Sequence, residues 1–420
     1  MENRLLHTPE GVRDIYNGEC QRKLAVENKI LGTFYQYGYE HIETPSFEYF
    51  DIFNKDRGSV GDKEMFKFFD RDNNTLVLKP DMTPAVARCV AKYYMADPMP
   101  LRLCYLERTY KNNTSYQGRL KETTQTGAEL IGDDSEQADA ELLAMVIESL
   151  QQTGLKEFQV EIGHADFFRG LTEEAGMDGQ TREDLRELIE NKNYFGVEEL
   201  LDSQEISEES RRSFLTLMEL FGSADQLSHA RELTKSPRAL AAIARLERIQ
   251  HLMEAYGLAD YISYDLGMVS RYQYYTGIIF KAYTYGTGDY IVTGGRYDRL
   301  LEQFGKNSPA VGFAIEVNQV MLALSRQQIQ VPVKQANVLI LFEPTAEKQA
   351  IRLGQHFRSL GLYAVSSVFH EGREIEDYRK MASDRNMRTI LYLKGEGTIV
   401  TAMDLVNGSQ DAIPFSEYVE

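Results

Sequence analysis

The sequence predicts an α+β protein: an antiparallel sheet with flanking helices and a helical insertion, followed by a small α/β domain. Three observations predict it. Alternating apolar and polar runs such as TLVLKPD, PLRLCYLERTYK and KETTQTGAELIG read as strands. A highly charged block over about 172–256 carries helical spacing almost throughout. After the polar, proline-containing stretch QQIQVPVKQ the rhythm changes to strand, helix, strand, helix, strand. At roughly 150 residues per domain, 420 residues hold two or three domains. The expected divisions are a core over 1–326, a linker over 327–335 and a C-terminal α/β domain over 336–420.

Each element has its own warrant. From Cys20 to Gly38, Leu24, Leu31, Phe34 and Tyr35 recur at helical spacing, and Gly38 supplies a stop. HIETPSFEYFDIF reads as extended, because Pro45 disfavours helix at its own position and just before it. TLVLKPD is a strand, and PLRLCYLERTYK pairs with KETTQTGAELIG as a long hairpin across the polar loop NNTSYQGR. A helix over 135–153 starts on the cap Ser135 and ends near Gly154, before the strand EFQVEIG. The last helix of the charged block has Ser236 as cap, Pro237 in its first turn, an apolar stripe of Leu240, Ile243, Leu246, Ile249 and Met253, and Gly257 as terminator. Strands return in YISYDLGMV, YYTGIIFKAYTY and DYIVTGG, with a turn at Gly286 to Gly288, and the apolar stretch from Ala310 to Leu324 closes the core. In the last domain NVLILF, YAVSSVF and RTILYLK are strands, alternating with helices at Glu347 to Leu360 and in EDYRKMASDRN. Mainly parallel pairing is expected there.

Composition excludes several function classes. With 46 Lys plus Arg against 64 Asp plus Glu the formal charge is −18, which disfavours adventitious binding to nucleic acid. No window reaches the roughly 18 apolar residues that cross a bilayer, and MENRLLHTPEGVRD lacks a signal-peptide core. A cytoplasmic location with no membrane partner is expected. Cys20, Cys89 and Cys104 lie far apart without a CxxC pair, and the histidines show no ligand spacing. Neither a disulfide framework, nor a bound metal, nor a cofactor is expected.

The segments TPEGVRDIYNGE, the Pro45 strand, KPDMTP, TQTGAELIG, RYQYYTGIIF, TGGRYD and VGFAIEVNQ follow one another over about 7–325. That ordered set resembles the histidyl-tRNA synthetase family, which comprises class II aminoacyl-tRNA synthetases and a paralogous branch of ATP phosphoribosyltransferase regulatory subunits. The resemblance implies a class II synthetase-like core; the last domain is similar to the family's anticodon-binding domain only in its α/β rhythm. A pocket for free histidine needs an anion for the α-ammonium, polar groups for the imidazole and flat walls around the ring. The resemblance puts Asp81, Thr83, Gln125 and Glu129 around the amino acid, with Tyr274, Tyr275 and Tyr297 beside its imidazole. Asp81 and Thr83 face the same way if their segment is extended, and Gln125 and Glu129 do so in a regular strand. Tyr274 and Tyr275 would alternate across a strand, so only one of them is expected to line the pocket fully. Taken singly, each residue has a plainer reading: Asp81 bonding local backbone, Glu129 on a solvated strand face, the tyrosines filling core.

Forming an aminoacyl-adenylate requires cations on the phosphates of ATP, and the arginine fork suits them best. In the family's motif 2, Lys111 stands where a phosphate-binding arginine is expected, and Asn113 replaces the adenine-contacting glutamate. In GFAIEVNQ, Gln319 holds the arginine position and Glu316 replaces the glycine that leaves room for adenosine. In SRYQYYTG, Ser270 stands in place of the arginine characteristic of the histidine enzyme. Lysine keeps charge but loses the fork, whereas Gln319 and Ser270 remove the charge. The ATP half-site therefore reads as degraded, and no catalytic residue is expected. Residues 334–420 hold 10 Lys plus Arg against 12 Asp plus Glu, which supplies no basic surplus for tRNA.

The resemblance thus implies a non-catalytic regulatory subunit, required for ATP phosphoribosyltransferase activity and histidine feedback in the first step of histidine biosynthesis. It implies a homodimeric core, a catalytic-subunit partner in a hetero-octamer, L-histidine as effector and no tRNA partner. An active histidine–tRNA ligase and a free-standing ligand-binding paralogue stay open at this point.

Overall fold

The computed structural model describes residues 4–54, 60–94, 96–113, 120–269, 274–333 and 337–419. The chain divides into two compact units, Met1–Val331 and Pro332–Glu420. In the first, helix α1 (Asn17–Gln36) is followed by Gly38 at φ +80, a left-handed position that suits glycine. Its buried face is Val26, Ile30, Leu31 and Phe34, whereas Leu24 and Tyr35 of the expected face point to solvent. Tyr35 remains there because its hydroxyl meets His41 Nδ1 at 3.2 Å.

The Pro45 segment divides into β1 (Glu40–His41) and β2 (Phe47–Tyr49), then tightens into a 3-10 turn at Phe50–Ile52. β3 (Lys67–Phe69) and β4 (Thr75–Leu78) complete a small antiparallel sheet of order β2-β4-β3. Helix α2 (Thr83–Tyr93) follows, an element missing from the sequence reading although Pro84 in its first turn and Val86 and Val90 four apart mark it.

β5 (Leu101–Tyr110) and β6 (Glu122–Ile131) form the expected hairpin, in register from Leu101↔Ile131 to Tyr110↔Glu122. α3 (Glu136–Thr153) is capped by Ser135 Oγ, which accepts from the Ala138 N–H at 3.2 Å. β7 (Phe158–His164) leads into a run of helices: α4 (Ala165–Glu174), α5 (Gly179–Glu190), α6 (Tyr194–Asp202), α7 (Glu208–Leu217), then the short β8 (Phe221–Gly222), α8 (Asp225–Glu232) and α9 (Pro237–Tyr256). β9 (Ile262–Asp265), β10 (Ile278–Thr284), β11 (Val292–Arg296), β12 (Ala310–Glu316) and α10 (Val317–Arg326) complete the unit.

The main sheet has the order β1-β5-β6-β12-β11-β10-β7-β9-β8. It is antiparallel except at β1·β5 and β7·β9. Those two pairs are joined by long connections that contain other elements, which parallel pairing requires. One face buries α1, α3, α9 and α10 against Ala128, Leu130, Phe280 and Phe313. The other packs α2 with Leu103, Tyr105 and three tyrosines, Tyr274, Tyr275 and Tyr297.

The second unit contains β13 (Val338–Phe342), α11 (Glu347–Ser359), β14 (Ala364–Val368), α12 (Ile375–Asp384), β15 (Thr389–Leu393), β16 (Ile399–Asp404) and β17 (Gln410–Pro414). The order is β14-β13-β15-β16-β17, with the first three strands parallel and the last two antiparallel. β13 reads as a continuous apolar run because both faces are covered: Ile340 and Phe342 pack with α11, Leu339 and Leu341 with α12. The hairpin β16–β17 corrects the expectation of a mainly parallel sheet. Asn407 and Gly408, with Gly408 at φ +76, supply its turn.

Candidate functional site

On the α2 face of the main sheet, a cleft is lined by Asp81, Thr83, Gln125, Tyr274, Tyr275 and Tyr297. These are six of the seven residues expected around an amino acid. Glu129, the seventh, lies beneath: its Oε1 accepts the Thr83 hydroxyl at 2.9 Å and its Oε2 accepts the Tyr297 hydroxyl. The side chain is 0% exposed, and burial pushes its carboxyl up to about 8. Gln125 and Glu129 share a face of β6, opposite Glu316 and Gly312 on β12.

Two of the local expectations change. Thr83 is the first residue of α2 and not part of an extended segment, and Asp81 accepts from the Met82 N–H at 2.7 Å and the Thr83 N–H at 3.4 Å. Its plainer role, bonding local backbone, therefore coexists with a place in the cleft wall. Tyr274 and Tyr275 precede β10 in an irregular segment, so strand alternation does not apply and both line the cleft. Their ring centroids are 4.8 Å apart, and Tyr297 stands edge-on to Tyr274 at 6.1 Å.

Gly312 keeps this floor open. A Cβ there would stand 1.5 Å from Glu129 Oε2. Gly312→Ala is expected to displace the carboxyl and, if the cleft takes the histidine that the resemblance implies, to weaken that binding by about 10- to 100-fold, the effect of overpacking by a few kcal/mol. Calorimetry with histidine checks this; parent affinity would show that the position of Glu129 does not matter.

The neighbouring half of the cleft has a different character. Glu316 Oε1 accepts from Gln125 Nε2 at 2.6 Å, and burial raises the Glu316 carboxyl while the Lys111 ammonium opposes that rise. The cleft is small, with a cavity volume of about 30 Å³, and partly open. It adjoins a groove of about 1020 Å³, and Lys111, Tyr290 and Glu316 line both. Asn113 and Gln319 lie in the groove. Among the described residues, Asn113 Oδ1, Gln319 Oε1 and Gln125 Oε1 are buried without a hydrogen-bond partner. Ser270 lies outside the described residues. Tyr290 is a wall residue that sequence reasoning missed, and no motif marks it. Among the described residues, no group of His, Cys, Asp and Glu side chains is arranged to hold a metal ion, and no helix is long and apolar enough to cross a membrane.

The sequence model of the histidyl-tRNA synthetase family matches residues 11–320. Among curated proteins, the ATP phosphoribosyltransferase regulatory subunit of Acetivibrio thermocellus is 38% identical over 399 residues, covering 95% of this chain and 93% of that one. Its namesake in Ruminiclostridium cellulolyticum is 37% identical over 410 residues, covering 98% and 97%. Among solved structures, an ATP phosphoribosyltransferase regulatory subunit/histidyl-tRNA synthetase from Bacillus halodurans superposes with a TM-score of 0.84 at 30% identity, covering 93% of this chain and 99% of that one. A histidyl-tRNA synthetase from Nostoc sp. PCC 7120 superposes at 0.83 with 19% identity over 98% of both chains, a likeness of fold alone.

Proposed function

The chain belongs to the histidyl-tRNA synthetase family, with the ATP phosphoribosyltransferase regulatory subunits, and we propose that it is the non-catalytic regulatory subunit of that enzyme in the first step of histidine biosynthesis. One observation carries the reading. Six of the seven residues expected around an amino acid line one cleft with the seventh beneath, and the Glu316 carboxyl bonds Gln125 at the position where the resemblance expects a glycine that leaves room for adenosine. That supports a kept amino-acid pocket beside a lost nucleotide site.

L-Histidine is the effector this arrangement favours. Asp81 offers a carboxyl in the cleft wall to a cationic ligand, and the buried Glu129 carboxyl lies beneath. The buried Gln125 Oε1 lacks a donor among the described residues, and three tyrosines supply walls for a flat ring. The cleft opens toward the adjoining groove, so an amino acid entering it would pass Lys111, Tyr290 and Glu316, which line both. Because the cleft and the groove share wall residues, a ligand there that binds one assembly state better would shift the assembly toward that state.

The partner in this reading is the ATP phosphoribosyltransferase catalytic subunit, in a hetero-octamer built on a homodimeric core. The exposed aromatic face of the small sheet, with Phe47, Tyr49 and Phe68, supports self-association. We assign the synthetase-like core to 1–326, the linker to 327–335 and the anticodon-binding-like domain to 336–420; the acidic balance of that domain supports a role without tRNA.

Calorimetry with histidine and with ATP, followed by pyrophosphate exchange into ATP, tests the reading. Histidine is expected to bind, ATP to bind weakly or not at all, and exchange to be undetectable; turnover at ordinary enzyme concentration would restore the ligase alternative. Mixing with the catalytic subunit should yield phosphoribosyl transfer that histidine inhibits. Gln319→Arg alone is expected to leave exchange undetectable. It leaves Ser270 unchanged and Glu316 in place, and each missing charged contact costs about 2 to 4 kcal/mol of transition-state stabilisation.

A further inference from the structure

Tyr274 and Tyr275 form one wall of the cleft but belong to no strand, so no sheet ladder holds their backbone. Their segment is fastened from two sides. On the sheet side, the Thr276 N–H donates to Arg296 O at 2.7 Å and the Thr276 hydroxyl donates to Asp298 Oδ2 at 2.9 Å. On the helical side, the Ala165 N–H donates to Gly277 O at 2.9 Å, and Arg169 Nη2 reaches across to donate to Tyr275 O at 2.9 Å.

Arg169 is itself held. Its Nη1 donates to Asp166 Oδ1 at 3.2 Å, and the same oxygen accepts Arg238 Nη2 of α9 at 2.6 Å. α4 and α9 meet closely at Gly170, where a Cβ would lie 2.7 Å from Ala239 N. That approach ties the start of α9 to α4. From Arg238 through Asp166 and Arg169, a chain of charge-assisted hydrogen bonds thus ends on the carbonyl of a residue that lines the cleft.

From this geometry we infer that Arg169 is a positioning residue: it sets the tyrosine wall and makes ligand affinity depend on the helical insertion, an inference that rests on the reading of the cleft as a histidine site. Arg169 does not line the cleft. Its effect passes through the Tyr275 carbonyl. The arginine fork matters because it must hold Asp166 and Tyr275 together, which a single ammonium does less well.

The test uses the full chain labelled with 3-fluorotyrosine, with the Tyr274 and Tyr275 fluorine resonances assigned by Tyr274→Phe and Tyr275→Phe. In Arg169→Ala both resonances are expected to move and histidine affinity to fall tenfold or more, with partial recovery in Arg169→Lys. Arg238→Ala, which only loosens Asp166, should move the same resonances less. Unmoved resonances in Arg169→Ala overturn the inference, as does a shift accompanied by parent affinity. Should Arg169→Ala fail to fold, the lysine variant and Arg238→Ala decide by the same two readouts. If the parent does not bind histidine, the effector reading fails by itself, and the fluorine shifts still decide whether Arg169 positions the wall.

Discussion

Glu129→Gln is expected to remove a pH dependence of stability that the buried carboxyl imposes on the parent. The group ordinarily titrates near 4.5 and is pushed up to about 8 in the folded chain by burial, against the opposing hydrogen bonds from Tyr297 and Thr83. Below both values, folded and unfolded chains each hold the proton and nothing is lost. Between them the unfolded chain releases a proton that the folded chain keeps, so stability falls as pH rises; above 8 the loss is complete. A separation of about 3.5 units corresponds to roughly 5 kcal/mol. Glutamine has nearly the same shape, stays neutral and can still bond Thr83 and Tyr297. Denaturant titrations at pH 5 and pH 9 should therefore show a smaller difference in the variant than in the parent. Parallel pH profiles would mean that Glu129 is ionised in the empty site. The same group makes a second statement about the ligand. A bound cation favours the carboxylate, so binding near pH 7 should release protons in the parent and none from this position in the variant. Calorimetry in buffers of different ionisation enthalpy reads that directly.

What the sequence revealed follows from which features are local. Gln125 and Glu129 were placed on one face by the two-residue period of a strand, and β6 is regular, so they share it. The same rule failed at Tyr274 and Tyr275 because regular pairing begins only at Ile278. α2 and the β16–β17 hairpin have local signals in Pro84 and in the Asn407-Gly408 turn. Glu316 was legible as a substitution, but its hydrogen bond to Gln125 spans 191 positions and has no local trace. Arg169 and Tyr275 lie 106 positions apart, and nothing in either segment announces their contact. Residue types at the site could thus be read from motifs, whereas the contacts that position them arise only from the closed sheet and the helices packed on it.

Asp139→Asn is expected to cost about 3 to 5 kcal/mol of stability, the range for removing one member of a buried ionic network. Asp139 is 0% exposed and serves two arginines. Its Oδ1 accepts Arg296 Nη2 at 2.7 Å and Nε at 2.9 Å, and its Oδ2 accepts Arg245 Nε at 2.7 Å. The remaining donors reach the carbonyls of Asp133 and Asp134 just before α3, at 3.0 and 2.8 Å. Asparagine offers one acceptor oxygen, so its amide nitrogen would confront one guanidinium with donor against donor. The damage should extend to the cleft. Arg296 O holds the Thr276 N–H, and Asp298, paired with Arg296 Nη1 at 3.1 Å, holds the Thr276 hydroxyl, so the tyrosine wall leans on this network. Both the unfolding midpoint and histidine affinity are therefore expected to fall in Asp139→Asn. A loss below about 1 kcal/mol would mean that solvent or the neighbouring carbonyls already compensate the arginines. Adding Arg245→Met separates the causes: it removes one uncompensated cation and keeps an apolar stem, so it should recover part of the stability. Histidine affinity should recover less, because Arg296 remains without its principal counter-ion.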